Sequence, residues 1–328
     1  MRYIDMHCDT LMPYAMKKDY DIFESDRMVD LKKLKAGECS AQFFAMFLPD
    51  QKMYEKSELQ IRDDEDYIRA LSEGLFRTIE EHSDMIAFAG NLEDYKKNDY
   101  DEKISAFLTI EDGRSVDGEF SNLERYHKMG VRLISLTWNH ENCFGFPNSD
   151  DPAVMNSGLK DFGKEAVEYM NELGIIIDVS HLSDGGFRDV ADISKKPFVA
   201  SHSDCRSITD HRRNMTDEMI RRLASKGGAV GINFCPDFMI PDKGKKNGAK
   251  EVMIDHMIMH LRHMVDVGGI ECAAIGTDFD GIHGELQIPD ASGMQQLFER
   301  MRSAGFTDSE VEKIARKNVM RVIGDSMK

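Results

Sequence analysis

Short apolar runs alternate with longer amphipathic stretches along nearly the whole chain. The runs Tyr3–Cys8, Ala41–Phe47, Ile104–Ile110, Val131–Thr137, Ile175–Val179, Phe198–Ser201, Ala229–Asn233 and Ala273–Thr277 are mostly rich in Val, Ile, Phe or Ala. Runs this short and this apolar predict strands buried on both faces, as in a parallel sheet. Between them, Leu159–Leu173, Asp217–Lys226 and Glu251–Val267 read as amphipathic helices. Gly174 and Gly227 follow two of these where a helix C-cap belongs. Thr307 and Glu310 have capping-box spacing and open a last helix predicted to run to about Ile323. The charged connection around Asp50–Asp101 predicts a helix over Ser57–His82.

Strands alternating with helices over this length predict an α/β fold, a single (β/α)8 barrel of TIM type that spans residues 1–328 as one domain. An open doubly wound sheet is the alternative, but no GxGxxG or GxxxxGK[ST] element follows the first strand. No Pro/Ser/Gly-rich linker, internal repeat or low-complexity tract interrupts the pattern.

Composition narrows the function. Hydrophobic residues make up 41%, enough for a substantial core. Acidic residues outnumber basic ones by 59 to 42, a formal charge of −17. Such a surface repels phosphate backbones and argues against a nucleic-acid partner, while leaving room for a bound cation or a local positive pocket. The start, MRYIDMHCDT, has no basic region followed by an apolar run. No stretch approaches the ~18 consecutive apolar residues of a membrane span. The 6 cysteines show no CxxC spacing and are expected to be reduced. The expectation is a soluble cytoplasmic protein without a membrane partner.

The chemistry gathers at predicted strand ends. The first strand ends His7-Cys8-Asp9. Alternate side chains on a strand share a face, so His7 and Asp9 project together and Cys8 points away. An imidazole and a carboxylate so placed can bind one metal ion. Alone, an HxD is more often incidental, but barrel active sites gather at the C-terminal strand ends. The third strand runs into Glu111, which by itself reads more simply as the first solvated residue of a loop. The fifth runs into His181 and the sixth into His202, at the same relative place. One such histidine is usually structural; two in register are harder to dismiss. The eighth runs into Asp278-Phe279-Asp280-Gly281, where aspartate before glycine is equally a turn signal.

Together these strand ends face one crater, whereas chance would scatter such residues over both ends of a barrel. Three imidazoles with two or three carboxylates suit a pair of borderline divalent ions, zinc first, with Mn, Fe or Co as alternatives. They do not resemble the all-oxygen shell of Mg or Ca. Two ions ~3.5–4 Å apart lower the pKa of a shared water, so that hydroxide exists near neutral pH.

The stretches DMHCDT, IEDG at Glu111, GVRLISLTWN, GIIIDVSHLSD, PFVASHSDCRSI, HRRNMTDEM and IGTDFDG occur in that order. In them the chain resembles the membrane (renal) dipeptidase family of zinc metallopeptidases, within the amidohydrolase superfamily. The resemblance covers most of the chain and is densest over Gly130–Gly281. It implies His7 and Asp9 on one metal, His181 and His202 on the other, and Glu111 bridging both. It implies that Asp278 moves a proton from the bridging water to the leaving amine. It also implies that Arg213 holds the substrate's terminal carboxylate, which a guanidinium fork matches bidentately. Without the flanking motif, Arg212 and Arg213 read as a solvated pair.

One position departs from the family. Many members carry a histidine after the Leu-Thr of the fourth strand, where this chain has Trp138. An indole can donate one hydrogen bond but cannot act as an imidazole. Trp138 therefore reads as an aromatic wall, with Asn139 or His140 as substitutes for the imidazole. Phe238 is a further pocket-lining candidate. The expected activity is hydrolysis of a dipeptide amide bond by a hydroxide held between two divalent metals, most simply zinc. The alternatives are another amidohydrolase-type reaction, on a lactone, another amide or a phosphoester, and a non-catalytic metal- or peptide-binding barrel. The expected partner is a small dipeptide. Oligomeric state is open, with the resemblance leaning towards a homodimer.

Overall fold

The computed structural model describes residues 1–241 and 251–328. Its strands are β1 (Tyr3–Cys8), β2 (Cys39–Phe47), β3 (Ile86–Phe88), β4 (Ile104–Glu111), β5 (Val131–Ser135), β6 (Ile176–Asp178), β7 (Val199–Ala200), β8 (Ala229–Ile232), β9 (Glu251–Val252), β10 (Ala273–Ile275) and β11 (Glu285–Leu286). The main sheet runs β2-β1-β10-β8-β7-β6-β5-β4, and pairing of β2 with β4 closes it into an 8-stranded, all-parallel barrel. Every strand expected from the sequence is present, and helices pack around them. Closure leaves the ring without an exposed edge.

The connection between β2 and β4 departs from expectation. Its main helix spans Asp64–Glu81, capped by Asp63, whose side chain accepts from the Asp66 N–H. Residues Gln51–Lys56 form a separate 3-10 turn. β3, which sequence reading missed, pairs with Ile104–Ala106 of β4, while β5 pairs only from Leu108 onward. β3 thus satisfies backbone groups of β4 that β5 does not reach. The helix expected from Glu251 begins at Ile254, because Glu251–Val252 pair with β11 instead. Thr307 and Glu310 form the expected reciprocal capping box. The helix they open passes through a π-wound stretch, Lys313–Lys317, and runs on to Ser326.

The strands bury two apolar layers. Ile4, Met6, Ala41, Phe43, Phe107, Leu133, Ile176, Val199, Ala229 and Ala274 fill the barrel interior, and Val319, Val322 and Ile323 of the last helix plug its floor. Phe44, Leu108, Ile110, Ile134, Ile177, Val230 and Ile275 join the outer layer, under the helices. On β1 the register with β2 shifts between Asp5 and Cys8. Met6 lies in the interior layer and Cys8 in the outer one, so this irregularity keeps His7 turned inward at the rim. Among the described residues, no helix is long and apolar enough to cross a membrane.

Candidate active site

The floor is apolar; the opposite rim collects the polar residues. His7 and Asp9 stand at the end of β1, Glu111 ends β4, and His181, His202 and Asp278 lie just beyond β6, β7 and β10. All six are buried. Two of these loops begin in left-handed backbone, at His181 (φ 68) and Asp278 (φ 61). For histidine that conformation has to be held by its surroundings. Asn148 does so, donating to the His181 carbonyl from its backbone N–H (2.7 Å) and its side chain (2.9 Å).

The five predicted metal ligands converge. Glu111 Oε2 lies 3.2 Å from His7 Nε2, while Glu111 Oε1 lies 3.1 Å from His181 Nε2 and 3.5 Å from His202 Nε2. The carboxylate therefore stands between two groups, one oxygen toward each. Asp9 and Asp278 approach His7 Nε2 at 3.7 and 3.8 Å. The rings of His7 and His202 stack at 3.9 Å.

These donors suit a cation. His7 Nε2 and Asp9 Oδ1 are buried without a hydrogen-bond partner. Burial holds His181 down at about 4, with the Arg213 charge adding, and keeps His202 low as well, so both imidazoles are neutral and present lone pairs. Burial opposes charge on His7 too, yet the carboxylates of Glu111 and Asp9 lift it well above the imidazole range. Burial, with Asp9 and Glu111 adding, raises Asp278 to about 7 against the pull of His7. Ligand atoms of His7, Glu111 and His202, and of His7, Asp9 and Asp278, each lie within 4.8 Å of one another. Gly281 completes the fit: a Cβ there would stand 2.5 Å from Asp278 Oδ1 and closer still to Asp9 Oδ2.

The arginine pair divides. Arg212 is exposed and pairs with Asp150. Arg213 is buried, with Nη2 donating to the His202 carbonyl (3.1 Å), Nη1 near Ser203 Oγ (3.4 Å) and Nε without a partner. Phe238 lies against the Arg213 guanidinium at 5.3 Å, so it backs the arginine. Trp138 is half-buried, edge-on to Phe47 at 4.8 Å and 6.3 Å from the His181 ring. Asn139 and His140 are exposed and stand outside the buried cluster.

Sequence reading missed Asn233 and Asp178. Asn233 accepts the Cys235 N–H at Oδ1 (2.7 Å), which fixes its amide so that Nδ2 donates to Asp278 Oδ2 (2.8 Å). Its signal was a polar residue closing the apolar run AVGIN. Asp178 interrupts IIIDV, a charge inside a predicted buried strand.

The fold and the site together are those of a closed parallel barrel whose imidazoles and carboxylates converge at the C-terminal rim. The chain belongs to the membrane dipeptidase family (peptidase family M19), whose profile matches residues 1–327. Membership makes it a hydrolase acting on dipeptides. An uncharacterised dipeptidase of Schizosaccharomyces pombe is 30% identical over 306 residues, covering 89% of this chain and 71% of that protein. A metallo peptidase from Rhodobacter sphaeroides, solved with a phosphinate mimic of the dipeptide L-Ala-D-Ala, superposes with TM-score 0.86 at 23% identity, covering 99% of each chain. The probable dipeptidase PvdM from Pseudomonas aeruginosa gives 0.87 at 19%, covering 99% of this chain and 95% of that one. At these identities the two structures speak to the fold.

Proposed function

We propose that this chain cleaves the amide bond of dipeptides at a centre of two divalent cations, zinc matching the imidazole-rich donor set best. His7 and Asp9 would hold one cation, His181 and His202 the other, and Glu111 would serve both. When bound, such a pair supplies a hydroxide nucleophile near neutral pH and polarises the scissile carbonyl. The observation that carries this reading is the division of Glu111, one oxygen toward His7 and the other toward His181 and His202.

Arg213 receives the substrate's terminal carboxylate. Its guanidinium is buried and forms no ion pair with another described residue, so a bidentate anion would complete it. It is braced on the carbonyl of His202, which ties the carboxylate grip to a ligand position. A dipeptide has one residue, about 3.6 Å of chain, between that carboxylate and the scissile amide. Trp138 walls the crater above His181. Asp278, with Oδ2 held by Asn233, keeps Oδ1 toward His7 and free to take a proton from the attacking water and give it to the leaving amine.

A stereochemically varied dipeptide library, with and without chelator, tests this. The Rhodobacter relative's ligand makes L,D-dipeptides the first to try. Free dipeptides should be cleaved and C-terminally amidated ones spared, with activity lost on chelation and restored by zinc. Activity that survives complete metal removal, or a preference for esters or phosphotriesters, refutes the reading.

A further inference from the structure

Asp178 is a fully buried carboxylate that the proposed reaction leaves unused. Its Oδ1 accepts the backbone N–H groups of Ser180 (3.0 Å) and Ser201 (2.8 Å). Its Oδ2 accepts the hydroxyls of Ser135 (2.5 Å) and Ser201 (2.6 Å). Four donors converging on two oxygens is the setting of a carboxylate ion. Ser201 Oγ also lies 2.7 Å from His202 Nδ1.

A hydroxyl carries one proton. Given to Asp178, it leaves Ser201 Oγ only as an acceptor toward the ring, so Nδ1 of His202 must carry the imidazole proton and Nε2 must present its lone pair. His202 Nε2 is the atom that faces Glu111 and, at 3.0 Å, His181 Nε2. Ser201 has little room to shift. A Cβ at Gly231 or at Gly276 would overlap the Ser201 carbonyl oxygen, so the chain closes tightly around it.

We propose that Asp178, acting through Ser201, is a positioning residue that locks His202 in the Nδ1–H tautomer and keeps Nε2 free to bind a cation. The inference rests on His202 being a metal ligand, as proposed above. Asp178→Asn discriminates, because it preserves shape and reverses the proton chain. The two backbone N–H groups select the amide oxygen for the Oδ1 place, which leaves the NH2 group facing the serines. Ser201 then accepts from that group and donates to His202 Nδ1, moving the ring proton to Nε2. An aspartate-to-asparagine change behind the histidine of a serine-protease triad acts in the same way.

Histidine 15N NMR of the full chain, before and after zinc addition, reads the tautomer. Wild type should show Nδ1–H at His202, and Asp178→Asn should show Nε2–H. Competition with a chromophoric chelator should find one zinc bound 10–100-fold more weakly in Asp178→Asn and the other little changed. Ser201→Ala should weaken the same zinc and Ser201→Thr should restore it, which keeps the test intact if the asparagine variant fails to fold. Wild-type affinity for both zinc ions in Asp178→Asn or Ser201→Ala, or Nε2–H in the wild type, overturns the relay. If His202→Ala keeps both zinc ions, the ligand reading itself falls and takes the relay with it, so the two failures are distinguishable.

Discussion

Gly281→Ala perturbs the site by a single methyl group. The new Cβ would stand 2.5 Å from Asp278 Oδ1, where ordinary contact begins near 3.4 Å. The Asp278 carboxylate must retreat by about 1 Å, and that of Asp9, which stands closer still, by more. The backbone is poorly able to do so: Asp278 N–H donates to the His7 carbonyl (3.2 Å), and Asp9 N–H donates to that of Phe279 (2.9 Å). The Asp280 carboxylate next door is held by the N–H groups of Met28 (2.7 Å) and Val29 (3.2 Å). The side chains of Asp9 and Asp278 therefore yield, and these are a proposed ligand and the proposed proton carrier. Overpacking of this size costs about 1–3 kcal/mol, which lowers Tm by only several degrees. A reacting group misplaced by ~1 Å costs on the order of 10²-fold in rate. We expect unchanged far-UV circular dichroism, a modest fall in Tm, weaker zinc binding, and kcat/KM for a good dipeptide down ~10²-fold. A folded variant with wild-type zinc content and wild-type kcat/KM would refute the geometry.

Three further outcomes follow from the same contacts. Asp278→Asn should keep its metal content, measured by mass spectrometry, while turnover falls by roughly 10²–10⁴-fold; wild-type turnover removes Asp278 from the mechanism. Arg213→Ala should lower kcat/KM for free dipeptides by at least ~30-fold, and Arg213→Lys should recover little because a point charge does not match the fork. An equal loss on C-terminally amidated dipeptides would show that Arg213 does not bind the carboxylate. His260, buried on the helix Ile254–Gly268, accepts the Cys205 N–H at Nδ1 (3.1 Å) and contacts the Met239 carbonyl through Nε2 (3.0 Å). Burial holds it down at about 4. The unfolded chain binds this proton more readily, so His260 contributes full stability above about 6.5 and loses it as pH falls toward 4, by about 3 kcal/mol. Denaturant melts of zinc-loaded protein across that window should show a shallower pH slope in His260→Gln; an unchanged slope excludes the histidine as its source.

The barrel strands were legible because a strand covered on both faces has to be apolar throughout, and that leaves a run no helix period explains. β3 was not legible. Three residues inside a charged connection carry no periodicity, and β3 forms only because β4 extends beyond the reach of β5. The five candidate ligands were legible as polar residues ending apolar runs. The roles of Asp178 and Asn233 were not, because each depends on the atom opposite it: Ser201 for one, Asp278 for the other.

Arg212 and Arg213 mark the boundary between the two kinds of information. They are adjacent and chemically identical, and no local pattern tells them apart; folding pairs one with Asp150 at the surface and buries the other behind His202. Local composition was enough to mark the segments that become the barrel strands and the polar residues that end them, because burial and side-chain alternation act within a few residues. Which oxygen of Glu111 meets which histidine, and which nitrogen of His202 faces Glu111, was decided only when distant strands closed into a ring. Hydrogen-bond partners are chosen by proximity in space, and proximity comes from closure.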